Sequence, residues 1–221
     1  MSARRGAKGT LGRLRLGYTS SAAFVPIVPT ALRAFRQAYP DVDLTLEEAN
    51  TVHLLERLAA AEIDAALIRP GRADPEGFRI VQLLDEPMMV ALPSGHRNAA
   101  IAALALGALR DETFVLFPRA AGPSLFEEII AGCRRVGFEP ILGQVAPEIS
   151  SVGNLVAAGF GVSIVPASIA QIRVAGAVYV PIEGEPLIAR LALASRPDGH
   201  SPVVANFAAL VAKVARQSAT R

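Results

Sequence analysis

Residues 14–21, Leu14-Arg15-Leu16-Gly17-Tyr18-Thr19-Ser20-Ser21, pass from an alternating apolar and polar pattern into three hydroxyl-bearing residues. The alternation predicts a short strand, and Thr-Ser-Ser is a run that starts helices well. Beyond it Phe24, Val28, Leu32 and Phe35 recur at helical spacing, and the pattern stops before Pro40. The order is strand, polar turn, helix. It is then repeated. Residues 43–46 read as a second strand, Asn50-Thr51 as the cap of a helix carrying Leu54, Leu55 and Leu58, and Asp64-Ala65-Ala66-Leu67-Ile68 as a third, buried strand. Strands alternating with helices predict an α/β fold with a parallel-type sheet.

Further along, Met88-Met89-Val90-Ala91-Leu92 is an apolar run that reads as a core strand leaving a first lobe at Pro93-Ser94-Gly95. The grammar then recurs: Phe114-Val115-Leu116-Phe117 as a strand, residues 124–136 and 151–158 as helices, and residues 161–166 as a strand opened by glycines. Residues 191–195 read as a strand and residues 203–216 as a closing amphipathic helix, with Phe207, Leu210, Val211 and Val214 on one face. No repeat of solenoid period is present.

The 221 residues are 52% hydrophobic and 19% charged, the balance of an ordered globular chain long enough for two lobes. Cys133 is the single cysteine, so the chain can form no intrachain disulfide, and a cytoplasmic setting is expected. The formal charge of +2 is uneven. Arg4, Arg5, Lys8, Arg13 and Arg15 all precede the first acid, Asp41, and without those five the 22 cations fall to 17 against 20 acids, a balance of −3. The basic character belongs to the N-terminal residues 1–15, of which 1–11 are expected to form a flexible basic arm, and the body has no nucleic-acid footprint. No apolar run reaches the roughly 20 residues of a membrane span, and no secretory signal pattern opens the chain.

Few residues carry chemistry on their own. Thr19, Ser20 and Ser21 stand at a strand-to-helix turn, where hydroxyls and backbone N–H groups either cap the helix or meet an anion. Thr51 makes the same double offer at the next helix. Arg69 follows the buried third strand, at the end where open α/β sheets place ligand crevices. Its guanidinium can grip a carboxylate in a fork, or simply pair at the surface with Asp64 or Asp74. Gly159-Phe160-Gly161 lacks the remainder of a phosphate-binding loop and reads as a helix end. His53, His96 and His200 have no metal-ligand spacing, no Gly-x-Ser-x-Gly elbow is present, and no metal or cofactor is expected. Arg134 and Arg135 can lower the thiol pKa of Cys133, but a lone helical cysteine ordinarily packs. The acid pairs Glu47-Glu48, Asp85-Glu86 and Glu127-Glu128 read as solvated faces. No catalytic constellation emerges, so an enzyme is not expected.

Four segments in order carry a resemblance. They are residues 12–17 (Gly-Arg-Leu-Arg-Leu-Gly), residues 35–42 (similar to FRQxYPxV), residues 58–67 (similar to LxxGxxDxAL, with Ala61 where glycine is frequent) and residues 155–166 (similar to LVAAGxGxxxVP). Together they resemble the effector-binding domain of LysR-type transcriptional regulators, close to the group that senses aromatic-pathway metabolites such as muconate or benzoate. The resemblance implies two Rossmann-like lobes of the type II periplasmic-binding-protein kind, with the chain crossing twice and the effector in the cleft. The lobes would be residues 12–93 with 195–221, and residues 94–194. It implies effector contacts at Ser21, Thr51, Arg69, Phe24 and Pro118, with Thr19 and Ser20 beside them. Arg119 departs from the small polar residue expected after Pro118. A carboxylate effector and a homodimer are implied. Such regulators contact DNA through an N-terminal winged helix-turn-helix, which these residues do not encode, so this chain alone is not expected to bind an operator. A stand-alone solute-binding protein and an enzyme on the same fold are the alternatives.

Overall fold

The computed structural model describes residues 9–197 and 201–219. The expectation of a basic arm therefore lies mostly outside the described residues, as does His200. In chain order the elements are β1 (Gly12–Tyr18), α1 (Ser20–Ala23), α2 (Ile27–Ala38), β2 (Val42–Glu48), α3 (Thr51–Ala59), β3 (Ala65–Ile68), β4 (Arg79–Pro93), β5 (Leu104–Ala105), β6 (Thr113–Leu116), α4 (Pro123–Arg135), β7 (Ile141–Val145), α5 (Val152–Ala157), β8 (Ser163–Pro166), β9 (Ala177–Glu183), β10 (Ile188–Ser195) and α6 (Pro202–Ala219). Two compact units result. One holds the described residues up to Leu84 and from Arg190 onward, and the other is Asp85–Ala189.

In the first unit β1 lies between β2 and β3, parallel to both, and β10 runs antiparallel to β3. All four residues of β3 are buried because helices cover both faces of the sheet. Ala65 and Leu67 join Leu14, Leu16, Phe35, Leu191, Leu193 and Phe207 in one cluster, while Ala66 and Ile68 join Leu54, Leu58 and Ile63 in another. The α2 and α6 helices meet through Phe35 and Phe207, whose rings stand edge to face at 5.2 Å. The single helix expected after the first strand is two. Pro26 has no N–H to continue α1 and its ring crowds the preceding turn, so one turn ends at Phe24 and a new helix begins at Ile27.

In the second unit β4 pairs antiparallel with both β8 and β9, and β6 pairs parallel with β7. Met88 to Leu92 pair with these strands, so the run read as the core strand of a first lobe belongs here. The crossings accordingly fall after Leu84 and after Ala189. Gly161 turns the chain into β8 at φ +145°, and a Cβ there would collide with the Thr113 carbonyl, so the position requires glycine. Among the described residues no helix is long and apolar enough to cross a membrane.

Candidate functional site

The carboxyl ends of three parallel neighbours, β2, β1 and β3, lie along one edge of the first unit; β1 runs directly into Thr19 and β3 into Arg69, and β2 reaches Asn50 and Thr51 after Ala49. After β1 the Thr19 N–H donates to the Leu67 carbonyl (3.1 Å), which ties the turn to β3. Thr19 is extended and makes no side-chain cap to α1. Its Oγ1 is buried without a hydrogen-bond partner among the described residues. After β2 the Ala49 N–H donates to the Tyr18 carbonyl (3.2 Å). Asn50, rather than Thr51, caps α3, its side chain accepting from the His53 N–H at 2.9 Å. Capping therefore does not account for Thr51, whose Oγ1 instead accepts the Arg69 backbone N–H at 3.4 Å.

Arg69 follows β3 directly and is only 3% exposed. Its Nε donates to Ser21 Oγ (3.3 Å) and its Nη2 to the Ser21 carbonyl (3.4 Å). These are long bonds that orient the guanidinium more than they stabilise it. The alternative of a surface arginine is corrected, and Asp64 and Asp74 have other arginines as partners. Arg69 is buried, Asp64 is bound by Arg15 at 2.7 Å, and Asp74 by Arg190 at 3.2 Å.

Ser21, Thr51 and Arg69 are thus brought together, and Thr19 is bonded to the strand that delivers Arg69. Ser20 is half-buried at the first position of α1, and Phe24 is half-buried at its end. Pro118 belongs to the other unit, where it is exposed just after β6 and its carbonyl accepts the Ala121 N–H (2.9 Å). Arg119 beside it pairs with Glu127 at 2.6 Å.

One acid expected on a solvated face is buried instead. Glu86 is 5% exposed, and its carboxylate accepts the backbone N–H of Ser168. Its signal was the period of two in β4, which buries Met88, Val90 and Leu92 on the same alternation. Ser163 Oγ, Ser168 Oγ and Tyr179 OH are also buried, without hydrogen-bond partners among the described residues. Cys133 is buried, the packing role expected of a lone helical cysteine, and the neighbouring arginines do not lower its thiol pKa. Burial first, and Glu139 second, push it up to about 11, while Arg134 and Arg135 pair with Glu139 and Glu128 instead.

Comparison with known proteins follows the same residues. The chain matches the LysR substrate binding domain family over residues 7–216. It is 35% identical to the HTH-type transcriptional regulator BudR of Raoultella terrigena, over 91% of this chain and 69% of that protein. With AlsR of Bacillus subtilis the identity is 29%, over 93% and 67%. The chain thus spans about two thirds of the length of these curated relatives. Among solved structures, the BenM effector binding domain with its effector benzoate superposes with a TM-score of 0.84 at 27% identity, covering 95% of each chain. Full-length CbnR complexed with its target DNA gives 0.81 at 26% identity, over 97% of this chain and 72% of that one. With a family match over nearly its whole length, relatives that are transcription regulators and neighbours of the type II periplasmic-binding-protein-like fold, this chain belongs to the LysR substrate binding domain family, the effector-binding domains of LysR-type transcriptional regulators.

Proposed function

We propose that this domain senses a small carboxylate held by Arg69, with the hydroxyls of Ser21 and Thr51 beside it and Thr19 Oγ1 as a further donor. The observation that carries the reading is the burial of the Arg69 guanidinium at the carboxyl ends of β1, β2 and β3. A guanidinium presents a planar fork of N–H donors that matches a carboxylate in shape and charge. Benzoate, the effector of the BenM domain, is an acid of this kind. The Ser21 hydroxyl faces a guanidinium, which cannot take up a proton, so the group is arranged for binding and not for nucleophilic attack.

The test is a thermal-shift titration with acetate, benzoate and cis,cis-muconate. A ligand that binds only the native state raises the melting temperature by an amount that grows with the logarithm of its free concentration over Kd. Arg69→Lys keeps the charge and loses the fork, and is expected to weaken the binding acid about tenfold or more. Arg69→Ala empties a buried site and lowers the melting temperature by itself, so Lys is the cleaner probe. Unshifted melting with every acid overturns the carboxylate reading and leaves the family assignment in place.

In a cytoplasmic regulator, ligand occupancy here would bias the state of the DNA-binding part. Pairing of two copies is also proposed. It is supported by the exposed Ile141, Leu142 and Val145 on β7 and by a groove at α2 and β2 lined by Leu32, Tyr39, Leu44 and Leu46.

A further inference from the structure

The chain beyond Arg69 runs through Pro70, Gly71 and Arg72, and one side chain from a distant element fastens that segment. Arg190, on β10, donates through Nη1 to the carbonyls of Gly71 (2.8 Å) and Arg72 (3.3 Å). Through Nη2 it reaches Asp74 Oδ1 (3.2 Å) and Gln82 Oε1 (3.3 Å). All of these residues lie in the first unit. Gln82 stands on β4 just before Leu84, where the chain leaves that unit, and Arg190 is the residue on which it returns. A single guanidinium therefore joins the backbone just past Arg69 to the outgoing strand, and does so from the returning one. Pro70 between them is buried and has a fixed φ, so a displacement at Gly71 passes to Arg69 with little slack. Only a planar fork satisfies four acceptors at once, and an ammonium does not.

Resting on the carboxylate reading of Arg69, we infer that Arg190 is a positioning residue for that site. It fixes the segment from which Arg69 projects and carries the effect of a bound anion to the two strands on which the chain crosses between units. The sequence reading gave Arg190 no role.

Two readouts on the whole chain test this. Hydrogen–deuterium exchange of the ligand-free protein is followed over residues 69–84 in the parent, Arg190→Gln, Arg190→Lys and Asp74→Ala. Titrations with acetate and benzoate follow on the same proteins. Arg190→Gln is expected to speed exchange over residues 71–74 and to weaken the binding acid about tenfold, with Arg69 and Ser21 intact. Arg190→Lys recovers part of both. Asp74→Ala alters a half-exposed side chain, so it folds even if the arginine variants do not, and shifts both readouts the same way by less. The bound acid slows exchange around Gln82 in the parent and not in Arg190→Gln, a coupling that a merely structural arginine would not produce. Exchange over 71–74 unchanged in Arg190→Gln or Asp74→Ala overturns the clamp. Faster exchange with undiminished affinity overturns its link to Arg69. Failure of the parent to bind either acid overturns the carboxylate reading, and with it the role of Arg190 toward a ligand, while the ligand-free exchange still decides the clamp.

Discussion

Asp64 accepts the backbone N–H of Arg15 (2.8 Å) and both arms of its guanidinium (3.1 and 2.7 Å), and Arg196 stands 3.7 Å away. Arg196 also donates to the carbonyls of Leu58 and Ile63, so the group joins β1, the end of α3 and the chain after β10. Burial pushes the Asp64 carboxyl up, but the bonds from Arg15 outweigh it and, with Arg196, hold the group below the usual carboxylate value. A depressed folded value means that the stabilisation is complete at neutral pH and is lost as pH falls through that value. Asp64→Asn should therefore cost about 2 kcal/mol near neutrality. The gap in melting temperature from the parent should close on acidification, and a gap independent of pH would count against the ion pair. Counting charges placed Arg15 with a basic arm, because a charge count does not know that its neighbours form a strand. Arg69 was legible for the opposite reason, since the buried run before it fixes where it emerges. Its burial was not legible, because that depends on Ser21 and Thr51 arriving from two other strands.

Three helices end alike. After α4 and α5 the chain turns through Gly137 (φ +85°) and Gly159 (φ +82°), and the next N–H reaches back to Cys133 and Leu155 respectively. After α3 the same closure is made by Ala61 at φ +56°, with Glu62 N–H on the Arg57 carbonyl (2.9 Å). An L side chain in the left-handed region costs about 1–2 kcal/mol, part of which glycine returns through its freer unfolded chain. Ala61→Gly should raise stability by about 0.5–1 kcal/mol, read in urea melts as a higher midpoint at constant slope. An unchanged or lower midpoint would show that the turn is relaxed. The departure at this position was visible in the sequence, and its cost was not. Other elements left weaker traces. The β7 strand has all five residues exposed and no alternation, and β9 is interrupted by Pro181, so neither carries the pattern of a half-buried strand.

On the scale of the whole molecule, the two chain crossings followed only from the family resemblance, whereas the alternation of strand and helix was readable, because period and order are properties of the sequence. The positions of the crossings were not, because β4 changes partners along its length and its pairing, rather than its hydrophobicity, decides the unit to which a residue belongs. Pairing of two copies is tested at this scale. Leu142 is 57% exposed, so Leu142→Lys should leave the melting temperature within about 0.5 kcal/mol of the parent in stability terms while moving the sedimentation coefficient toward the monomer. A parent that sediments as a monomer at every concentration would remove the dimer. The split first unit also bears on synthesis. Asp85–Ala189 emerges from the ribosome as one unbroken stretch and has every strand of its own unit before the chain turns back. Leu14, Phe35 and Leu67, made earlier, must wait for Leu191, Leu193, Phe207 and Val211 to complete their cluster. Within these residues the middle stretch can fold on emergence, while Leu14, Phe35 and Leu67 stay open to chaperones until α6 is released.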